Sequence, residues 1–218
     1  MDASFWHRRW ELGEIGFHEN RPNPFLVSHL AKLNLTAGSR LLLPLCGKTR
    51  DIAWLLAHGY RVVGVELSPV AVNELFQELG ITPEIVVLES VTHYFAPNLD
   101  VYVGDIFEIS ADHLQAVDAI YDRAALVALP AEVRLRYVSH LMNLTDAAPQ
   151  LLIAYQYDAS LIDGPPFSVD SDEIKRLFGG HYELNPVEQR PVEGGLKGKV
   201  PSAETAWLLQ PVDKQPQP

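Results

Sequence analysis

The spacing of apolar residues alternates between strand-like and helix-like from residue 41 to residue 80. Leu41–Leu45 is a short continuous apolar run, which is typical of a strand buried on both faces, and Arg61–Glu66 is a second run, rich in valine. Apolar residues at helical spacing follow each run, first Ile52, Leu55 and Leu56, then Val72, Leu75, Phe76 and Leu79. This order of strand, helix, strand and helix predicts a parallel sheet with right-handed crossovers.

The ends of both predicted helices carry recognisable signals. Gly59 and Gly80 stand where a left-handed residue would close each helix. Ser68 and Pro69 are suited to the N-cap and the first position of the second helix.

Further strands are predicted along the rest of the chain, at residues 84–88, 99–103, 117–121 and 151–155. We expect one of the first two to lie off the main sheet, and a helix over about residues 130–144. After residue 158, a short helix is predicted with Ile174, Leu177 and Phe178 inward, and residues 181–184 and 205–209 are predicted to pair antiparallel.

Composition restricts the class of protein. The 218 residues are 47% hydrophobic, enough for one sizeable core. A net charge of −11 argues against nucleic acid and anionic membranes as partners. The single cysteine, Cys46, excludes an internal disulfide and fits a reducing compartment, and a small buried hydrophobe is the simpler interpretation of it than a nucleophile. We therefore expect a soluble, cytoplasmic protein, monomeric and acting on a small molecule.

The turn after the first predicted strand indicates what kind of ligand is bound. Glu66 follows Gly47 by 19 residues, which is the spacing of a carboxylate that accepts hydrogen bonds from an adenosine ribose. A diphosphate needs more glycines in such a turn than this one has, so NAD is disfavoured. Lys48 does not complete a Walker loop, because no glycine stands at the required position upstream. S-adenosylmethionine has no phosphate and fits this pattern better.

Five segments carry a resemblance to a known family. They are PLCGKTRDIAWLLAHGYRVVGVELS from residue 44, YDRAALVALP at 121–130, GPPFSV at 164–169, EIKRLFG at 173–179, and an N-terminal pattern of Trp6, Arg9, Trp10, Gly13, Gly16, Phe17 and His18. In combination they resemble the thiopurine S-methyltransferase family over roughly residues 5 to 209.

The resemblance implies a class I S-adenosylmethionine-dependent methyltransferase, a Rossmann-like α/β fold. We expect a seven-stranded, mostly parallel sheet with a C-terminal antiparallel strand, helices on both faces and an N-terminal helical cover. One domain would span residues 1–210, with residues 1–24 covering the cofactor and residues 211–218 forming a disordered tail.

The resemblance also assigns roles to seven residues. The implied cofactor contacts, to S-adenosylmethionine, are Trp10, Leu45, Glu66, Asp105, Ile106 and Arg123, with Glu66 on the ribose and Asp105 and Ile106 beside the adenine. Phe17 and Arg123 would contact the acceptor, and Arg123 would be catalytic by stabilising the acceptor thiolate. No metal is expected, since the eight histidines show no ligand-like spacing.

The implied activity is S-methylation of thiopurines and other aromatic or heterocyclic thiols, with selenium or tellurium compounds as further acceptors. Two alternatives stay open at this stage. A nicotinamide-dependent oxidoreductase is opposed by the single-glycine turn, and a non-catalytic adenosine-ligand binder would keep Glu66 but lack an open acceptor pocket.

Overall fold

The computed structural model of the chain describes residues 3–212. Its helices are α1 (Ala3–Glu11), α2 (Pro24–His29), α3 (Arg50–Ala57), α4 (Pro69–Leu79), α5 (Ala111–Leu114), α6 (Ala131–Thr145) and α7 (Ser171–Phe178). Its strands are β1 (Arg40–Pro44), β2 (Arg61–Glu66), β3 (Glu84–Val87), β4 (Thr92–Ala96), β5 (Leu99–Val103), β6 (Ala119–Arg123), β7 (Gln150–Tyr157), β8 (Tyr182–Pro191) and β9 (Ser202–Pro211). Short 3₁₀ helices occupy Leu30–Leu33, Ile106–Glu108 and Leu126–Ala128.

The strands form one sheet in the order β3-β4-β5-β2-β1-β6-β7-β9-β8. Neighbours from β5 to β7 pair in parallel, as the alternation of strands and helices predicted. The β3–β4 hairpin extends one edge and the β8–β9 hairpin the other, and both are antiparallel. The predicted Rossmann-like α/β class is confirmed, including the C-terminal antiparallel strand.

The predicted count of seven strands is wrong, because the described residues form nine. The expectation that one of the segments 84–88 and 99–103 lies off the main sheet is also wrong, because β3 and β5 both belong to it. The sequence pattern assigned no strand to β4, whose five residues are all half-buried and show no clean alternation. β4 forms because it pairs along its whole length with β5. Pro97 and Asn98 make the tight turn between the two strands, and Asn98 has a φ of +65°.

Helices cover both faces of the sheet. Alternate residues of β1 point to opposite sides: Leu42 belongs to the cluster under α6 and α7, whereas Leu41 and Leu43 belong to the cluster under α2, α3 and α4. Both clusters are fully buried along the central strands, so the carboxyl ends of those strands are held rigidly at one edge of the sheet.

The predicted helix ends are also observed. Ser68 caps α4, with its hydroxyl accepting from Ala71 N at 3.4 Å, and Pro69 is the first helical residue. Gly59 and Gly80 adopt left-handed φ values of +80° and +67°.

The C-terminal tail that the sequence predicted begins inside a strand. Pro211 is the last residue of β9, and Val212 N donates to His181 O at 3.0 Å. Residues 213–218 lie outside the described residues. Between residues 3 and 212, no helix has both the length and the apolar character to cross a membrane.

Candidate active site

A cavity of about 950 Å³ opens at the carboxyl ends of the parallel strands. In open α/β sheets this edge is where ligands bind. All seven residues that the sequence singled out line it: Trp10, Phe17, Leu45, Glu66, Asp105, Ile106 and Arg123. The structure therefore brings together residues that are up to 113 positions apart, while their individual roles remain predictions.

The turn after β1 forms the floor of this cavity. Leu45 and Gly47 both have left-handed φ values, +49° and +54°, and Cys46 N donates to Val65 O at 3.0 Å. Gly47 N then points at β2 and donates to Glu66 Oε2 at 2.8 Å. Because this amide is already bonded, the turn has fewer free backbone donors for a diphosphate.

Glu66 is held in a fixed orientation at the end of β2. Its side chain is buried, with the residue only 6% exposed, and Oε1 accepts from Ser68 N at 2.8 Å while Oε2 accepts from Gly47 N. Burial raises the pKa of Glu66, and the backbone hydrogen bonds act in the opposite direction. Each carboxylate oxygen retains a second acceptor position, so the group is suited to receive hydroxyl donors from a ligand in the cavity.

Lys48 is not available to bind a phosphate. Its Nζ lies 2.8 Å from both Glu74 Oε2 and Glu78 Oε1, on α4, and its side chain is only 12% exposed. These ion pairs tie the turn to α4, in agreement with the absence of a Walker motif in the sequence.

Asp105 and Ile106 follow β5 and shape a different wall. The Asp105 carboxylate accepts from Phe107 N at 3.0 Å and so caps the 3₁₀ helix that begins at Ile106. Ile106 is buried, and its carbonyl lies 2.8 Å from His140 Nε2. The wall thus offers an apolar side chain and a fixed backbone, which is suited to a flat aromatic ring such as adenine.

The N-terminal segment, residues 3–24, contributes one side of the cavity. The ring of Phe17 makes edge-to-face contacts with Trp6 at 5.8 Å and with Trp10 at 5.6 Å between centroids. Trp10 is buried against Gly47: a Cβ on that glycine would lie 2.9 Å from Trp10 Cζ2. The aromatic residues therefore join this segment directly to the turn that holds Glu66.

Arg123 joins the same segment to β6. Its two terminal nitrogens donate to Phe17 O at 3.0 Å and to Glu19 Oε1 at 2.6 Å. The Arg123 side chain is 14% exposed and that of Glu19 is 37% exposed. Arg123 lies in an apolar stretch and needs an anionic partner, which is Glu19. No pattern in the sequence pointed to Glu19.

Sequence reasoning also missed a buried acidic group that lines the cavity, Asp51. Asp51 accepts from Tyr121 OH at 3.0 Å and from Asn23 N at 2.7 Å. Tyr121 lies in the YDR segment that carried the family resemblance, which was the one available signal. Glu204, on β9 opposite Tyr155, also lines the cavity, and burial raises its pKa although Arg123 lowers it.

A further part of the cavity wall is largely apolar. It includes Val127, Leu129, Val133, Tyr155, Pro165, Pro166 and Leu196. Pro165 and Pro166 of the GPPF segment therefore line the cavity. Among residues 3–212 there is no group of three or more His, Cys, Asp or Glu side chains that could hold a metal ion.

The features of this cavity fit S-adenosylmethionine. A volume of about 950 Å³ lies in the range of small-molecule sites and accommodates a ligand of this size together with a small acceptor. Glu66 and Ile106 both line this cavity, and the Gly47 to Glu66 hydrogen bond leaves its floor with fewer free backbone donors for a diphosphate.

Solved structures with the same fold define the class. The chain is similar to the 1,6-didemethyltoxoflavin-N1-methyltransferase of Burkholderia thailandensis, crystallised with S-adenosylhomocysteine, with a TM-score of 0.63 and 16% identity over 95% of this chain and 87% of that one. It is also similar to the magnesium protoporphyrin IX methyltransferase of Synechocystis, with a TM-score of 0.64 and 12% identity over 96% and 100% of the two chains. The fold is therefore that of the S-adenosylmethionine-dependent methyltransferases.

Sequence comparison is more specific. The family model for thiopurine S-methyltransferase matches residues 1–204. A thiopurine S-methyltransferase of Xanthobacter autotrophicus is 52% identical over 211 residues, covering 96% of this chain and 99% of that protein. The chain belongs to the thiopurine S-methyltransferase family, and the class of enzyme suggested by its sequence motifs is confirmed.

Proposed function

We propose that this protein transfers a methyl group from S-adenosylmethionine to the sulfur of aromatic and heterocyclic thiols, thiopurines among them. The observation that carries the proposal is the buried Glu66 carboxylate, held by Gly47 N and Ser68 N at 2.8 Å at the floor of the cavity. Family membership supports it, and an apolar acceptor wall adjoins the same cavity.

Six residues would hold the cofactor. Glu66 would accept from the ribose hydroxyls, Ile106 and the Asp105 backbone would flank the adenine, and Leu45 would contact the ligand from the turn. Trp10 would cover it from the N-terminal segment, and Arg123 would lie near its methionine end. Phe17, in edge-to-face contact with Trp6 and Trp10, would lie next to the acceptor.

The sulfonium of bound S-adenosylmethionine supplies an activated methyl group. Transfer of this methyl group to the acceptor sulfur would leave S-adenosylhomocysteine, and the thiol proton would pass to solvent. The protein's contribution is to align the two sulfurs and exclude water, and orientation of this kind is worth up to about 7–11 kcal/mol. The N-terminal segment, fixed by Trp10 and Arg123, closes the site.

The domain organisation, the cellular location and the oligomeric state of the protein are part of the same proposal. We propose a single catalytic domain over residues 1–210, in which residues 1–24 cover the cofactor. The net charge of −11 favours a small-molecule acceptor over nucleic acid or anionic lipid, and the single free cysteine fits the cytoplasm. A monomer suffices for the chemistry, because one chain supplies every wall of the cavity.

The test is direct product detection. Purified protein is incubated with S-adenosylmethionine and 6-mercaptopurine, and the S-methyl product and S-adenosylhomocysteine are quantified by mass spectrometry. Equimolar formation of both is expected. Glu66→Gln keeps the shape of the side chain but removes its charge, and is expected to weaken cofactor binding about 10- to 100-fold, as loss of a charged hydrogen-bond acceptor does.

The matched control is Glu84→Gln on the exposed strand β3, which should bind the cofactor as the wild type does. Tight binding of S-adenosylmethionine without methyl transfer to any thiol would identify a binding protein instead of an enzyme. Thermal stabilisation by NAD alone would contradict the proposal altogether. An aromatic selenol in the same assay tests whether the acceptor class extends to selenium compounds.

A further inference from the structure

The guanidinium of Arg123, which the sequence assigned to the acceptor thiolate, already has an anionic partner in the protein. One terminal nitrogen donates to Glu19 Oε1 at 2.6 Å and the other to Phe17 O at 3.0 Å. A distance of 2.6 Å is that of a short, charge-assisted hydrogen bond, so this contact is strong for a pair at the rim of a cavity.

The other ionisable groups near Arg123 also affect its charge. Asp51, Tyr121 and Glu204 raise its pKa together with Glu19, while burial works in the opposite direction. Nearby His18 has its pKa lowered, first by burial and then by cationic neighbours including Arg123. Arg123 thus stays charged, and acidic groups on α3, on β9 and in the N-terminal segment all stabilise its positive charge.

Glu19 is held less firmly than Asp51. Asp51 is fixed by two hydrogen bonds and is 1% exposed, whereas Glu19 lies on a loop and has its side chain 37% exposed. The Glu19 carboxylate can therefore be solvated when it leaves Arg123, and a ligand anion in the cavity can take its place on the guanidinium.

We propose that Glu19 is a specificity-determining residue that competes with an anionic acceptor for the Arg123 guanidinium. The inference rests on the proposed function and deepens it. With Glu19 on Arg123, the site offers no net cation to the acceptor, so neutral acceptors meet no barrier while a thiolate must first displace the carboxylate. Glu19 thereby limits how strongly the enzyme favours ionised thiols.

The first test uses binding, so that it does not depend on turnover. Protein saturated with S-adenosylhomocysteine is titrated with benzoate and with benzamide, which have the same shape but differ in charge. Glu19→Gln is expected to tighten benzoate about 3- to 10-fold, which is the range expected when a partly exposed ion-pair competitor is removed, and to leave benzamide within twofold.

The second test uses kinetics with two aromatic thiols, one ionised and one protonated at the assay pH. Glu19→Gln is expected to raise kcat/KM for the ionised thiol through KM, with kcat and the KM for S-adenosylmethionine unchanged. In its pH profile the gain should follow ionisation of the acceptor.

Glu14→Gln is the matched control, because Glu14 lies in the same segment, 57% exposed and 4.0 Å from Arg9, outside the cavity lining. Introducing Glu19→Gln into an Arg123→Met background completes a double-mutant cycle. The benzoate effect should vanish there if it acts through Arg123.

Two results would overturn the proposal. Weaker binding of S-adenosylhomocysteine in Glu19→Gln, with no preference for benzoate over benzamide, would reduce Glu19 to an anchor of the N-terminal segment. A benzoate gain that persists without Arg123 would show a general charge effect. Failure of the wild type to methylate any thiol would refute the proposed function alone, since the benzoate titration would still report on Glu19.

Discussion

The indole of Trp10 occupies the space that a side chain on Gly47 would need. A Cβ there would lie 2.9 Å from Trp10 Cζ2, and Gly47 also has a left-handed φ of +54°. Gly47 is thus required for two separate reasons, the conformation of the turn and the seating of the N-terminal segment on it.

Gly47→Ala should therefore cost more function than backbone strain alone explains. The left-handed conformation costs about 1–2 kcal/mol of stability for an alanine. Displacement of Trp10 is expected in addition, with at least tenfold weaker binding of S-adenosylmethionine by calorimetry and a shift in tryptophan emission, because a buried indole would become more exposed.

Gly80→Ala is the control for this substitution. Gly80 has a similar φ of +67° but no atom within 4 Å of its Cβ position. It should show only the loss of stability that backbone strain causes, with unchanged cofactor affinity, and equal loss of affinity in both variants would contradict the role of the Trp10 contact.

Asp122 should make the protein less stable as the pH rises. Burial raises its pKa from 3.8 to about 6, although Leu126 N and Tyr137 OH donate hydrogen bonds to it. Between these two values the folded state keeps a proton that the unfolded state has lost. The free energy of unfolding therefore falls across this window, by on the order of 3 kcal/mol from this one group.

Urea unfolding of the wild type and of Asp122→Asn at pH 4, 5, 6 and 7 measures this contribution. The variant should gain stability relative to the wild type as the pH rises through the window. Other groups with raised pKa values, such as Glu66 and Glu204, are common to both proteins and cancel in the difference. Parallel pH profiles would show that Asp122 does not titrate in this range.

Arg134 should hold Leu129, a residue of the apolar cavity wall, in position. Its side chain is 3% exposed and one nitrogen lies 2.8 Å from both carboxylate oxygens of Glu173, while Nε donates to Leu129 O at 2.9 Å. Arg134→Met leaves Glu173 without its cation and should cost about 3 kcal/mol of stability. Because Leu129 lines the cavity, the KM for the acceptor should rise more than the KM for the cofactor.

Lys175→Met provides the comparison, since the Lys175–Asp172 pair is 64% and 82% exposed and should contribute little. The double variant Arg134→Met/Glu173→Met removes both buried charges and should recover most of the lost stability. No recovery would show that Arg134 acts through its backbone contacts rather than through Glu173.

Cys46 should be a packing residue. Burial, and then the charge of Glu66, raise the pKa of the Cys46 thiol well above its ordinary value, so the reactive thiolate is suppressed. Its Sγ fills the space beside Gly64, where an added Cβ would lie 2.8 Å away. Cys46→Ala should keep kcat within about threefold, whereas Gly64→Ala should cost about 1–3 kcal/mol through overpacking.

Combining Cys46→Ala with Gly64→Ala tests whether the contact between these two positions causes the loss of stability. Gly64→Ala in the Cys46→Ala background should cost less than it does alone, as measured by urea unfolding. Additive losses would show that the cost of Gly64→Ala does not come from the contact with Cys46 Sγ, since the Val101 methyl groups, 3.6 Å from the same position, are in ordinary van der Waals contact.

The part of the fold that was predictable from the sequence is the part whose signals are local. The β1 to α4 region follows from apolar spacing and from caps such as Ser68 and Gly80, which act within a few residues. β4 was missed because it owes its conformation to pairing with β5 and carries no pattern of its own.

The contacts of the candidate site also fall into a predictable local group and an unpredictable long-range group. Gly47 and Glu66 could be related from sequence because one strand and one helix separate them by a nearly constant distance along the chain. The Arg123–Glu19 pair spans 104 residues and the Tyr121–Asp51 pair spans 70, and neither spacing follows from any local rule. Such contacts depend on how the N-terminal segment and the central strands come to lie together in three dimensions.

The position of β9 has a consequence for synthesis. β9 is the last described strand along the chain, yet it lies inside the sheet between β7 and β8, and it carries Glu204 into the cavity. While the chain is still emerging from the ribosome, β7 keeps an open edge that only β9 can cover. Every residue proposed to hold the cofactor is made before that edge is closed, so the nascent chain carries an unfinished sheet until β9 has been translated.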